Sequence, residues 1–251
     1  MANHLINNRT DRRHLKQAAD IAHQVCHTLI DTLEPGMALS ALEQQANRLL
    51  AQQQSSAPFK RFDEYGYAIC VSINDGIVNG PPLAEITLTE GDVVSIAVGS
   101  EYRGLHGKAA QTRVLSDHPP SDVVQLLEGT AAIFDSFPTD RFSSLNALIA
   151  YQQTLIEDTH GLTLLAKTGG CGIGKQLHQF PPVPNRLEEL DITVPFEEGM
   201  AFTLMPMTSL GPSKEWFLAD DGWTYLTQDG ALAAHVGHMM LYTDGCLTRL
   251  N

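Results

Sequence analysis

The sequence predicts an α+β fold built from two similar halves. Three observations predict it. Apolar residues recur at helical spacing in two separate stretches, and each stretch is followed by β-rich sequence punctuated by turns. The 251 residues are enough to bury one large core. No linker or low-complexity run divides them. The expected organisation is one domain over residues 1–251, with N-terminal helices in 1–60 and the pocket-forming αβ halves in 61–251.

The first helix carries Leu15, Ala18, Ala22, Val25, Leu29 and Leu33 at steps of three and four, with Thr10 as its expected cap and Pro35-Gly36 as its stop. Ser40 is the expected cap of a second helix carrying Leu42, Ala46, Leu49 and Leu50, which ends in the polar run AQQQSSAP. Residues 67–73 (YAICVSI) read as a strand, and NDGIVNGPP reads as a loop. GDVVSIAVGSEYRG reads as two strands around a turn. Pro119-Pro120 opens a third helix with Val123, Val124, Leu127, Ala131 and Phe134 on one side. A fourth is expected over residues 144–158, and from Leu164 onward short strands alternate with Gly and Pro turns.

Charge and cysteine usage narrow the function classes. The net charge of −13 repels phosphate backbones, and the adjacent basic pairs Arg12-Arg13 and Lys60-Arg61 are too few for a phosphate track, so no nucleic-acid partner is expected. Cys26, Cys70, Cys171 and Cys246 stand far apart with no C-x-x-C pair, which suits a reducing compartment. The polar start MANHLINNRTDRRHLK lacks an apolar signal core, and no run reaches the roughly 18 to 20 apolar residues of a membrane span. The expectation is a soluble cytoplasmic protein with no membrane partner.

Specific motifs follow. G-D-V-V-S-I-A-V at 91–98, Leu105-His106-Gly107, G-C-G-I-G at 170–174 with His178 and Pro181, Phe202-Thr203-Leu204-Met205-Pro206-Met207, Asp221-Gly222-Trp223-Thr224 and the A-x-x-x-H segment at 234–238 occur in this order. In order and spacing they resemble the methionine aminopeptidase family of M24-type metallopeptidases over about two-thirds of the chain. The resemblance implies the pita-bread (creatinase/aminopeptidase) fold: two pseudo-symmetric αβ halves around a central pocket. It also implies one or two divalent ions held by two Asp, one His and two Glu, with a further His for substrate. Such ions take several anionic oxygens and lower the pKa of a bound water.

At the positions matched to those ligands this sequence has Ala97, Lys108, Cys171, Met205 and Gly237, and the substrate-binding His is matched by Asn79. The expectations are no metal site, no cofactor and no ordinary methionine removal. Three uses of the pocket are then open. It binds or converts a small molecule or short peptide-like ligand without metal, as the similar catalytic domain of creatinase works without one. In that reading Lys108 fixes an anionic or carbonyl group, and His178 and His106 exchange protons. Cys171 with His178 is a second candidate pair, as thiolate and base. Alternatively the chain is a non-catalytic module with a protein partner, or a residual aminopeptidase with rearranged ligands. For each candidate a bland role stands beside the functional one: Lys108 reaching to solvent, Cys171 as a small buried residue in a Gly-rich turn, Met205 and Met207 as core.

Overall fold

The computed structural model describes residues 4–135 and 137–251, so the first three residues of the polar N-terminal stretch lie outside it. Helix α1 (Arg9–Asp31) buries Leu15, Ala18, Ala22, Val25 and Leu29, the face its spacing predicts. Its cap is Asn8 rather than Thr10. Asn8 has extended backbone, and its side-chain oxygen accepts from the Asp11 N–H at 2.7 Å. Helix α2 (Leu39–Gln52) starts one residue before Ser40, after Ala38, with no side-chain cap.

The first strands are β1 (Ile69–Ile73), β2 (Gly76–Val78), β3 (Val93–Tyr102) and β4 (Leu105–Val114). Two expectations fail here. β2 lies inside the stretch read as loop, being only three residues long between turn signals. β3 is one ten-residue strand, and the turn falls at Arg103-Gly104. Its first eight residues are all buried. It therefore reads as an unbroken apolar run with no alternation to mark it.

Helix α3 (Ser121–Asp135) and helix α4 (Leu145–Gln153) come next. The chain continues past α4 in a wider π-type turn over Thr154–Thr159. Ten short strands complete it: β5 (Thr163–Leu164), β6 (Gly169–Gly172), β7 (Gln179–Pro184), β8 (Ala201–Leu204), β9 (Met207–Ser209), β10 (Trp216–Leu218), β11 (Tyr225–Thr227), β12 (Ala233–His235), β13 (His238–Thr243) and β14 (Cys246–Arg249).

Among the described residues the strands form four antiparallel sheets, ordered β1-β3-β4, β10-β11-β2, β12-β9-β5 and β14-β13-β8-β6-β7. Helix α1 lies directly on the backbone of β4. A Cβ at Gly107 would stand 2.2 Å from the Ala18 carbonyl oxygen, so only glycine lets the helix come this close. Ser100 on β3 donates to that carbonyl at 2.6 Å. The two halves meet edge to edge at Ala110 and Gly237. Each N–H donates to the other's carbonyl, at 3.1 and 2.9 Å. The apolar layer between the halves includes Ile77, Ala97, Met205, Met207 and Met239. A cleft opens above it.

Candidate active-site cleft

Strand pairing builds the cleft floor. Cys70 on β1 stands opposite Ala97 on β3, and Ala97 opposite Ala110 on β4. Lys108 lies two residues from Ala110, so all four side chains share one face of the sheet. Asn79 follows β2 in the left-handed region, with φ of 65°, a conformation that asparagine tolerates better than most residues. The cleft has a volume of about 560 Å³. Its aromatic wall is Phe59, Phe62, Tyr65, Trp223 and Tyr225, and Val183, Pro184 and Met207 add apolar surface.

Local bonds fix these walls. The Tyr65 hydroxyl lies 2.8 Å from the Gly80 carbonyl and 3.1 Å from that of Ile69. Burial raises the Tyr65 pKa and holds the hydroxyl in its neutral form. The Asp221 carboxylate accepts from the N–H groups of Trp223 and Thr224, both at 2.8 Å, which sets the turn that carries the indole. Tyr225 is stacked on Trp216, with ring centroids 3.8 Å apart.

Of the sequence candidates, Asn79, Ala97, Lys108 and His178 line the cleft. The Lys108 ammonium lies 5.7 Å from the Phe59 ring centroid. His178 is exposed at the rim, edge-on to Phe62 at 4.5 Å. Burial of its inner edge lowers its pKa to about 4, and the charges of Lys108 and His106 add to this. Its outer edge is open, so solvent screens part of the effect, but the imidazole is neutral at pH 7 and free to accept a proton. His106 is outside the lining, its Nδ1 3.1 Å from the Gly174 carbonyl. Cys171 is also outside it. Its thiol points toward the Leu177 carbonyl at 3.9 Å, and burial raises its pKa, which favours the thiol over the thiolate.

Met205 and Gly237 lie beneath the floor. A Cβ at Gly237 would be 2.7 Å from the Met205 Cε and 3.3 Å from the Ala110 Cβ, so the methionine side chain fills the space beside the glycine. The five matched positions thus offer a methyl group, an ammonium, a neutral thiol, a thioether and bare backbone. Among the described residues no group of three or more His, Cys, Asp and Glu could hold a metal ion. A pair of hard divalent ions does not fit this donor set, and no water-activating step through such ions follows from it.

Sequence reading missed most of the wall. Phe59 comes from a single 3-10 turn over Pro58–Arg61, and Phe62, Tyr65 and Tyr225 from loops and a short strand, with no periodicity to mark them. Trp223 stands in the Asp221-Gly222-Trp223-Thr224 motif, whose turn aims it into the cleft. His235 was missed as well. It sits on β12 opposite Met207, a cleft residue, and is 1% exposed. Neither of its ring nitrogens has a hydrogen-bond partner among the described residues. His235 closes β12 and His238 opens β13, with Val236-Gly237 between them.

The sequence matches the model of metallopeptidase family M24 over residues 13–244. It is 32% identical over 241 residues to a methionine aminopeptidase of Aquifex aeolicus, covering 91% of each chain. It is 29% identical over 240 residues to methionine aminopeptidase 1 of Bacillus subtilis, covering 92% of each. The crystal structure of a methionine aminopeptidase from Thermotoga maritima superposes with a TM-score of 0.91, at 27% identity and 98% coverage of both chains. These relatives overturn the expectation that the pocket has left peptidase function for metal-free ligand chemistry or a binding-module role. Proteins named for methionine removal align along nearly the whole chain, and the cleft between the halves is open and walled for an apolar side chain. The chain belongs to the methionine aminopeptidase family within metallopeptidase family M24, and its fold is the pita-bread fold.

Proposed function

We propose that the protein acts at the amino-terminal end of peptides, seating an apolar first residue of about methionine's size in the cleft. The aromatic wall carries this reading. Phe59, Phe62, Tyr65 and Trp223 surround the floor on which Cys70 and Ala97 lie. Aromatic edges and faces suit a flexible, polarisable thioether, which gains from sulfur–aromatic contact as well as from burial. The kinship points the same way, since the relatives above are named for removing methionine.

The partner in this reading is a peptide. Nucleic acid is set aside by the net charge of −13. No helix among the described residues is long and apolar enough to cross a membrane. The four cysteines are free, which suits the reducing cytoplasm as its place of work.

A panel of X-Ala-Ser peptides, differing only in the first residue, tests the reading by competition binding. Methionine and leucine at the first position are expected to bind at least about tenfold more tightly than glycine or aspartate, the worth of one buried apolar side chain. A panel that binds equally at every first residue contradicts it.

A further inference from the structure

We propose that Lys108 makes the cleft select peptides whose amino end is acylated over peptides with a free ammonium. This rests on the peptide-end reading above and names the substrate class within it. Lys108 comes from β4 opposite Gly99, on the same face as Ala97 and Cys70, and lines the cleft beside Phe59. No carboxylate among the described residues pairs with its ammonium, and none accepts a hydrogen bond from it. Its charge is felt at Cys70, Cys171, His178 and His235. All four are neutral at pH 7; the carboxylate felt at Cys70, that of Glu43, stands behind the floor 3.7 Å from the Lys60 ammonium and does not touch Lys108.

The other charges on the lining are Lys167 and Glu189, neighbours on one wall, where the Lys167 N–H donates to the Glu189 carboxylate at 2.8 Å. The one charge that the floor presents to the cleft among the described residues is therefore the Lys108 ammonium, with no carboxylate in contact with it. A peptide's free amino group is mostly protonated at pH 7 and would meet a like charge there. N-acylation removes that charge. It also supplies a carbonyl oxygen, which can accept from one of three ammonium protons that otherwise lack an acceptor. A formyl or an acetyl group offers the same chemistry.

The test compares Met-Ala-Ser, N-formyl-Met-Ala-Ser and N-acetyl-Met-Ala-Ser by calorimetry on the wild-type chain and on the Lys108→Met and Lys108→Gln variants. The formyl and acetyl arms show which acyl group the space beside Phe59 admits. The wild type is expected to bind at least one acylated form about tenfold or more tightly than the free amine, and both variants are expected to bring the two within about threefold. Equal or tighter binding of the free amine by the wild type overturns the proposal and leaves the peptide-end reading standing. A preference that survives in both variants overturns the role of Lys108. Failure of all three peptides to bind overturns the peptide-end reading and this proposal together.

Discussion

Replacing Arg186 with methionine is expected to lower the free energy of unfolding by about 3–5 kcal/mol, the cost of removing one partner from a buried ion pair. The Arg186 side chain is only 4% exposed. Its Nε donates to Glu188 at 2.7 Å, while one terminal nitrogen bonds Glu157 and lies 3.3 Å from the Leu164 carbonyl. Glu157 stands in the wide turn after α4 and is 21% exposed, so losing the guanidinium leaves a carboxylate half out of water with no counter-charge. Arg186→Lys keeps a charge but not the fork that reaches two carboxylates at once, and should recover only part of the loss. Urea unfolding measures both variants. A loss under about 1 kcal/mol in the methionine variant would place the pair among surface bridges instead. Arg186 stands two residues past the cleft-wall segment Pro182-Val183-Pro184, so peptide binding should weaken with it.

Acid should unfold this protein through its buried imidazoles before its carboxylates matter. His235 is 1% exposed and His238 is 7% exposed. Burial lowers both pKa values from 6.5 to about 4. Lys108 adds to this at His235, and Arg249 and His23 add to it at His238. The folded pKa lies below the unfolded one, so the unfolded chain binds more protons at acid pH. The neutral rings contribute full stability above pH 6.5, and that contribution is lost progressively as the pH falls toward 4. At 1.36 kcal/mol per unit, each ring costs about 3 kcal/mol across that window, and the pair about 7 kcal/mol at most. The carboxylates whose pKa is lowered, such as Asp221 and Glu198, titrate below the upper part of this range. A fall in the urea midpoint between pH 6.5 and 5, reduced in His235→Gln and His238→Gln, is the expected result. A midpoint that stays flat down to pH 5 contradicts it.

These effects show which parts of the molecule its sequence announces. Helix α1 is legible because it buries one stripe against a sheet, and the three- and four-residue spacing records it; α3 is legible as a helix, but its buried stripe runs through Val123, Leu126, Thr130, Ile133 and Phe134, which leaves the expected Val124, Leu127 and Ala131 half-buried at its edge. Strand β3 is not, because α1 covers one face and the apolar layer between the halves covers the other, which removes the alternation a half-exposed strand would show. The cap of α1 lies two residues before the expected Thr10 because Asn8 and Thr10 are both competent caps, and only the backbone angle at Asn8 decides between them. The same division runs through the site. Lys108, Asn79, Ala97 and His178 stand in motifs whose order and spacing place them in the cleft. Phe59, Phe62 and Tyr65 come from a turn-rich stretch without a repeat, and they meet Trp223 only when the second half folds back over the first. The missing partners of His235 are a property of what surrounds it in space, and one-dimensional spacing carries no trace of that. The use of the cleft is hidden in the sequence for a related reason. The six altered positions stand in motifs and point to a change of purpose, whereas the aromatic wall, which bears on what the cleft accepts, is assembled only in the fold.

The most direct test of the central claim, that the cleft receives the amino-terminal residue of a peptide, is intrinsic fluorescence. The chain has two tryptophans, Trp223 on the cleft wall and Trp216 stacked on Tyr225 behind it. Titration with methionyl tripeptides, free and N-formylated, is expected to give a saturable change in emission from the wild type. That change should largely disappear in Trp223→Phe, which keeps an aromatic ring in place and leaves Trp216 to report. No saturable response to any methionyl peptide, or a response of the same size in the Trp223→Phe variant, would contradict the claim.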